Sequence, residues 1–301
     1  MSVFTYIGVA FAYTLRHDNT IRIERCGHSR CVLIPEEIDG LPVTEIAPDF
    51  LRDTDSVKEV IFPDTIKVIG ENALYACYDL EKVKLPEKIE YIPKDFCSLT
   101  SLVSVTIPDS VKVIEKGAFG NIFDLKELVL GKGIEKIGID TFSVSVVETL
   151  HIGPNVKEIK TDDSRGFMDG NSYLKEITVD KNNPYFRDIN GILFSKDLTE
   201  LIRYPSAKEE RHYEIPNQVK RISSKAFGHA SLESLKFGRS VEEVKDNILG
   251  FKDKENFTVY CLKESLAEEF AKRKGYNIKY TESDLTKFLN DIEEDVCKTQ
   301  E

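Results

Sequence analysis

Any chemistry in this chain has to come from its histidines, its cysteines or one acidic loop. The five histidines are His17, His28, His151, His212 and His229. They are scattered without the spacing that lets two imidazoles share a metal ion, and HExxH does not occur. The six cysteines are Cys26, Cys31, Cys77, Cys97, Cys261 and Cys297, with no CxxC pair. Cys26 and Cys31 are close enough to bridge a hairpin, but the other gaps are long and irregular. Free or buried thiols in a reducing compartment are expected. Asp162, Asp163 and Asp169 could offer carboxylate oxygens to a divalent cation. They lack the EF-hand pattern, so solvated loop charge is the expectation. Ser104, Ser234 and His151 fall in strand-like segments but in no triad pattern. Neither GxxxxGK[ST] nor GxGxxG after a strand is present, and Gly131-Lys132-Gly133 belongs to a repeat. These observations predict no catalytic residue, no cofactor and no metal, hence a protein that is not an enzyme.

Composition narrows the partners. With 52 acidic and 41 basic residues the net charge is -11. Binding to a nucleic acid backbone needs clustered Lys and Arg, so nucleic acid is not an expected partner. Anionic lipid is disfavoured for the same reason. The apolar stretch from Val3 to Leu15 is broken by Thr5, Tyr6, Gly8, Tyr13 and Thr14. It is too short to span a bilayer, and no basic segment precedes it as in a signal peptide. Read as a complete chain, the protein is expected in the cytoplasm; with a leader removed, it is expected at the cell surface or secreted.

The elements that would position any site follow from a repeat. An apolar pair closed by Pro or Gly recurs at Pro35, Pro63, Pro86, Pro108, Gly131, Gly153, Asp180 (an exception in type), Pro216 and Gly238. Successive gaps are 28, 23, 22, 23, 22, 27, 36 and 22 residues. Inside each turn come an apolar-x-x-apolar phrase, such as Ile66/Ile69, Ile89/Ile92 and Val111/Ile114, and a bulky residue such as Leu74, Phe96, Phe119 or Phe142. One such unit cannot bury its apolar face alone, so equivalent side chains must stack into a common core. The alternation in Leu80-Glu81-Lys82-Val83-Lys84-Leu85-Pro86 predicts a strand with one face inward, ended by a proline that cannot donate to a ladder. Successive strands should pair in parallel, about 4.8 Å apart. The result should be elongated, with no natural cleft.

The phrase from Ile107-Pro108-Asp109-Ser110-Val111 to Ala118-Phe119 resembles the consensus turn of the BspA-type leucine-rich-repeat family. Ile215 to Ile222 with Ala226-Phe227 is similar to it, and Ile34 to Ile46 resembles the family's first turn. The likeness runs from about Val32 to Tyr280. It implies a right-handed leucine-rich-repeat solenoid, a role in binding proteins or surfaces, and no defined active site. Two turns depart from the pattern. Lys160 to Asn171 adds a polar loop. The stretch from Asp180 to Pro216 adds an insertion in which Asn190-Gly191, between apolar runs, predicts a β-hairpin.

The full expectation is an α/β chain leaning to β. Residues 1–31 form a β cap with Asp18-Asn19 at a turn. Residues 32–260 form the solenoid, with the hairpin insertion at 181–214. Residues 261–301 form a helical cap and an acidic tail. Short helices or 3-10 turns should join the parallel strands on the other face. Leu266, Ala267, Phe270 and Ala271 give a helical stripe stopped by Gly275. Leu285, Phe288, Leu289, Ile292 and Val296 give another in the tail, expected to pack back on the last turn, to dock a partner or to fray.

A surface remains. Alternation places Lys82, Lys84, Ser104, Thr106, Glu127, Thr149, His151, Glu176, Thr178, Ser234 and Lys236 away from the core, as one sheet face. The face mixes signs and has no aromatic cluster, which fits a polar protein or a surface glycan. The expected function is a non-catalytic, monomeric interaction module. The alternatives are a surface adhesin or structural protein, and a ligand-binding protein or enzyme with a site near 160–214.

Overall fold

The computed structural model describes residues 1–162, 164–250 and 256–281. The tail stripe, Asp163 and Cys297 lie outside these residues.

Each coil opens as a short strand because its alternating side chains can bury one member only. Val105 is buried between exposed Ser104 and Thr106. The strands pair in parallel with their neighbours: Ser104, Val105 and Thr106 lie beside Glu127, Leu128 and Val129. Pro63, Pro86 and Pro108 then end the pairing, since they carry no N–H. The apolar-x-x-apolar phrase makes a second parallel ladder, unexpected from the alternation. Its strands are two residues long: Tyr91–Ile92, Val113–Ile114, Lys136–Ile137 and Glu158–Ile159 pair in that order. The connections are hydrogen-bonded turns, and the described residues contain a single helix.

Each of these coils takes a corner through a left-handed residue. Asn72 (φ 56°), Asp95 (φ 51°), Gly117 (φ 66°) and Asp140 (φ 57°) occupy this position. Asn, Asp and Gly tolerate that conformation best, which explains why one of them stands three residues after Ile69, Ile92, Ile114 and Ile137. The bulky residues stack, and Phe62 from a strand end extends their column. Ring centroids lie 6.2 Å apart for Phe62–Phe96, 5.9 Å for Phe96–Phe119 and 6.0 Å for Phe119–Phe142.

The insertion forms the predicted hairpin. Phe186–Ile189 pairs antiparallel with Ile192–Ser195, across Asn190 (φ 51°) and Gly191 (φ 77°). Both central residues have positive φ, as a tight hairpin turn of this twist requires. The strands behind the turn form a partition. Leu193 and Ile202 belong to the first apolar core, while Ile192, Phe194, Leu201 and Tyr204 belong to a second. Glu200–Arg203 then pairs with Arg221–Ile222 and restarts the second ladder.

The caps close both ends. Ser2–Tyr6, Val9–Leu15 and Ile21–Cys26 pair antiparallel, and the last joins Leu41–Ile46 in parallel. At the other end Ser265 caps the helix Leu266–Lys274 by accepting from the Glu268 N–H, and Gly275 ends it in the left-handed region. Asn277–Tyr280 adds a final parallel strand beside Thr258–Cys261.

One glycine marks how closely the coils approach. A Cβ on Gly131 would stand 2.5 Å from the carbonyl carbon of Pro108 and 2.7 Å from the oxygen of Ile107, both backbone atoms of the preceding coil. Earlier coils carry proline here, so repeat similarity alone predicts that Gly131 tolerates a side chain. The geometry predicts the opposite. Gly131→Ala should lower stability by about 1–3 kcal/mol through overpacking, read from urea unfolding. Unchanged or higher stability would refute the close approach.

Candidate interaction surface

The outward side chains of the strand ladder are placed by register. Lys82 and Lys84 lie beside Glu59 and Ile61. Ser104 and Thr106 lie beside Glu127 and Val129. Thr149 and His151 lie beside Glu176 and Thr178. Lys82, Lys84, Ser104, Thr106, Glu127, Thr149, His151, Glu176 and Lys236 are exposed, and Thr178 is half-buried. Ser234 departs from the expectation at 5% exposure. His212 on the neighbouring strand leans over it, with Nδ1 2.9 Å from the Ser234 hydroxyl.

The face expected as one sheet is four short hydrogen-bonded sheets: Cys31–Leu33 with Glu59–Ile61 and Lys82–Lys84, Ser104–Thr106 with Glu127–Val129, Thr149–Ile152 with Glu176–Val179, and His212–Glu214 with Ser234–Lys236, Thr258–Cys261 and Asn277–Tyr280. The Ile177 N–H donates to Gly191 O at 2.9 Å, so the hairpin tip takes the place of the next strand. The ladder resumes at His212–Glu214, which pairs with Ser234–Lys236. In the last two of these sheets side chains tie across coils. His151 Nδ1 lies 2.9 Å from the Thr178 hydroxyl, and Lys236 Nζ lies 2.9 Å from a Glu214 oxygen. Among the described residues no carboxylate is hydrogen-bonded to His151 or His212, so neither hydroxyl–imidazole pair is a triad.

The expectation of a molecule without a cleft does not hold. The loop 160–171 is long enough for Arg165 and Asp169 to reach past the corners of the preceding coils. With Asp140, Ser143, Lys116 and His229 they line an open polar cleft of 440 Å³. Its carboxylates are engaged. Buried Asp140 accepts from Arg165. Asp169 lies 3.9 Å from Lys225 Nζ and 3.8 Å from His229 Nε2. Asp162 accepts from the Ser164 and Arg165 backbone N–H groups and the Ser164 hydroxyl, which hold its carboxyl below the usual range. Among the described residues no three His, Cys, Asp or Glu side chains are grouped to hold a metal.

Arg203 was not singled out from the sequence. It is fully buried behind this cleft and donates from Nη1 to Lys225 O at 2.7 Å. Burial pulls its pKa down to about 10, against the opposing charge of Asp169. Among the described residues five cysteines are free thiols, and burial pushes those of Cys26 and Cys77 up to about 12. Such thiols are poor nucleophiles at neutral pH.

Aromatic side chains are also present at the face, against expectation. Phe123 and Tyr173 are 62% and 55% exposed at its border. They sit in the turns that lead into strands, outside the strand positions where alternation directs attention.

Solved structures share this architecture. The pneumococcal vaccine antigen PcpA aligns with a TM-score of 0.64 at 16% identity, over 94% of this chain and 99% of that one. A leucine-rich cell surface protein from Faecalibacterium prausnitzii aligns at 0.61 and 22% identity, over 94% and 96%. A leucine-rich-repeat protein from Eubacterium ventriosum aligns at 0.54 and 21% identity, over 85% of this chain and 64% of that one. No curated protein matches in sequence. No helix among the described residues is long and apolar enough to cross a membrane. The model of the BspA type leucine-rich repeat region matches residues 44–168 and 204–297, in six copies. The repeat phrase, the stacked coils and this match agree: the chain belongs to the BspA-type leucine-rich-repeat family.

Proposed function

We propose that this protein is a non-catalytic interaction module whose strand face binds a protein or a cell-surface ligand. The observation that carries the reading is the lateral tying of outward side chains. His151 to Thr178 and Lys236 to Glu214 are held across coils before any partner arrives. Side chains ordered in advance lose less entropy on binding, so a polar face of this kind can serve as a recognition surface. A surface location has support in the description of the Faecalibacterium relative as a cell surface protein. The polar cleft at 160–171 favours a second reading, a small-ligand site, but its carboxylates already hold cations of this chain.

The test uses the intact chain as bait on extracts of its native cells and their surroundings, alongside the variant Lys82→Glu/Lys84→Glu/His151→Ala. All three side chains are exposed, so unfolding curves of bait and variant should coincide. Capture by the bait, reduced about tenfold or more in the variant, is the expected result if the face holds the contact. Equal capture by both removes the strand face from the proposal.

A further inference from the structure

The border of the face before the hairpin carries a groove of 520 Å³. Phe123 and Tyr173 flank it, and Asp124, Lys126, Glu148 and Thr149 are among its other walls. Two large rings left more than half in water call for an explanation, since exposed apolar groups that cluster mark contact sites. Their spacing is set by the solenoid. Phe123 leads into the strand Glu127–Val129 and Tyr173 into Glu176–Val179, with Thr149–Ile152 as the coil between. The first two of these coils are joined by the pairing of Lys136–Ile137 with Glu158–Ile159 and the last two by Thr149–Ile152 with Glu176–Val179, so two parallel spacings put the rings about 10 Å apart along the axis.

The floor between them is polar without favouring one charge. Glu148 is bridged by Lys175 at 2.7 Å, and Asp124 and Lys126 offer one charge of each sign. Such a floor gives no net field to an ion, but it supplies carboxylate acceptors and an ammonium donor to hydroxyl groups. A ligand that meets both demands has flat, weakly apolar faces and a rim of hydroxyls, which describes a neutral hexopyranose. In a β-1,4-linked chain every second ring presents the same face, at a repeat close to the two-coil spacing.

We propose that this groove binds an extended, neutral β-1,4-linked oligosaccharide. Phe123 and Tyr173 stack under alternate sugar rings. Asp124 and Glu148 accept from hydroxyls, and Lys126 donates to them. This inference rests on the binding reading above and names a ligand class for one edge of the face.

Calorimetric titration of the intact chain with cellotetraose and with chitotetraose tests it. Saturable binding of at least one is expected. Phe123→Ala and Tyr173→Ala should each weaken it about five- to tenfold, the loss of one aromatic contact. Tyr78→Ala, which removes an aromatic 56% exposed outside the groove, should leave affinity unchanged. Maltotetraose, whose α-linked chain curves, should bind more weakly. Three results would overturn the proposal: no saturable binding of either β-linked probe, full affinity in both groove variants, or equal affinity for maltotetraose. If the bait still captures a partner through its strand face while these titrations fail, the oligosaccharide assignment alone falls.

Discussion

Phe119→Ala is expected to lower the stability of the chain by about 3–5 kcal/mol, the usual cost of emptying a large aromatic site in a packed core. Phe119 is fully buried, 5.9 Å from the Phe96 ring edge-on and 6.0 Å from the Phe142 ring in a stack. Its removal breaks both contacts at once. The backbone around it carries the coil-to-coil bonds: the Phe119 N–H donates to Thr141 O at 3.0 Å, and the Cys97 N–H donates to Ala118 O at 2.8 Å. A solenoid is held by nearest-neighbour interfaces, so damage in one coil uncouples the coils on both sides. Urea unfolding should show the loss. Hydrogen exchange should place it at the amides of Cys97 and Phe119 before those of the caps. A loss below about 1 kcal/mol would mean that the aromatic column does not hold the coils together.

That column was legible in the sequence because its members recur with the coil. Period and apolar type are both local signals, and the strands, the Asn190-Gly191 hairpin, the β cap and the Gly275 helix stop were read from such signals. The second ladder was not. Its apolar residues, such as Ile92 and Ile114, were recognised as core, but a strand of two residues has no alternation to betray it. Its pairing comes from coils stacking in register, which is a property of the whole rather than of any window.

Polar residues misled in a consistent way. Alternation within one strand points Ser234 outward, whereas His212 on the neighbouring strand covers it. Phe123 and Tyr173 were overlooked because turn residues have no inside or outside until the coil is closed. Asn171 reads as loop polarity and Arg203 and Asn183 carry no signal of their own, yet all three are fully buried. The cleft at 160–171 arises the same way. Loop length is visible in sequence, but which corners Arg165 and Asp169 reach over is a tertiary fact.

Asn183 shows what such a buried polar residue contributes. Its Nδ2 donates to Gly153 O at 2.8 Å and to Val156 O at 2.9 Å, while its Oδ1 accepts from the Tyr185 and Phe186 N–H groups at 2.8 Å each. Every hydrogen-bonding position of the amide is filled, and the bonds pin the start of the hairpin to the preceding coil. Leucine shares the branch at Cγ but is larger and can make none of them. Asn183→Leu should therefore cost about 3–6 kcal/mol, because buried carbonyl and N–H groups lose their partners without regaining water. Asn183→Asp separates hydrogen bonding from packing. A carboxylate there keeps the Tyr185 and Phe186 N–H donors at one oxygen but turns the other toward two carbonyl oxygens, and this repulsion together with full burial is expected to outweigh the donors and raise its pKa above the unfolded value. The sign follows: deprotonation favours the unfolded chain, so the deficit relative to the unsubstituted chain is largest at neutral pH and shrinks as pH falls through the raised pKa. Paired urea titrations at several pH values would show this. No deficit at any pH would assign Asn183 to space filling alone. Because the hairpin divides two apolar cores, loosening its anchor should also expose the seam between them. Leu193 and Ile202 would lose their contact with the first core, and the amides of the coils after Arg203 should exchange before those of the coils preceding Gly153.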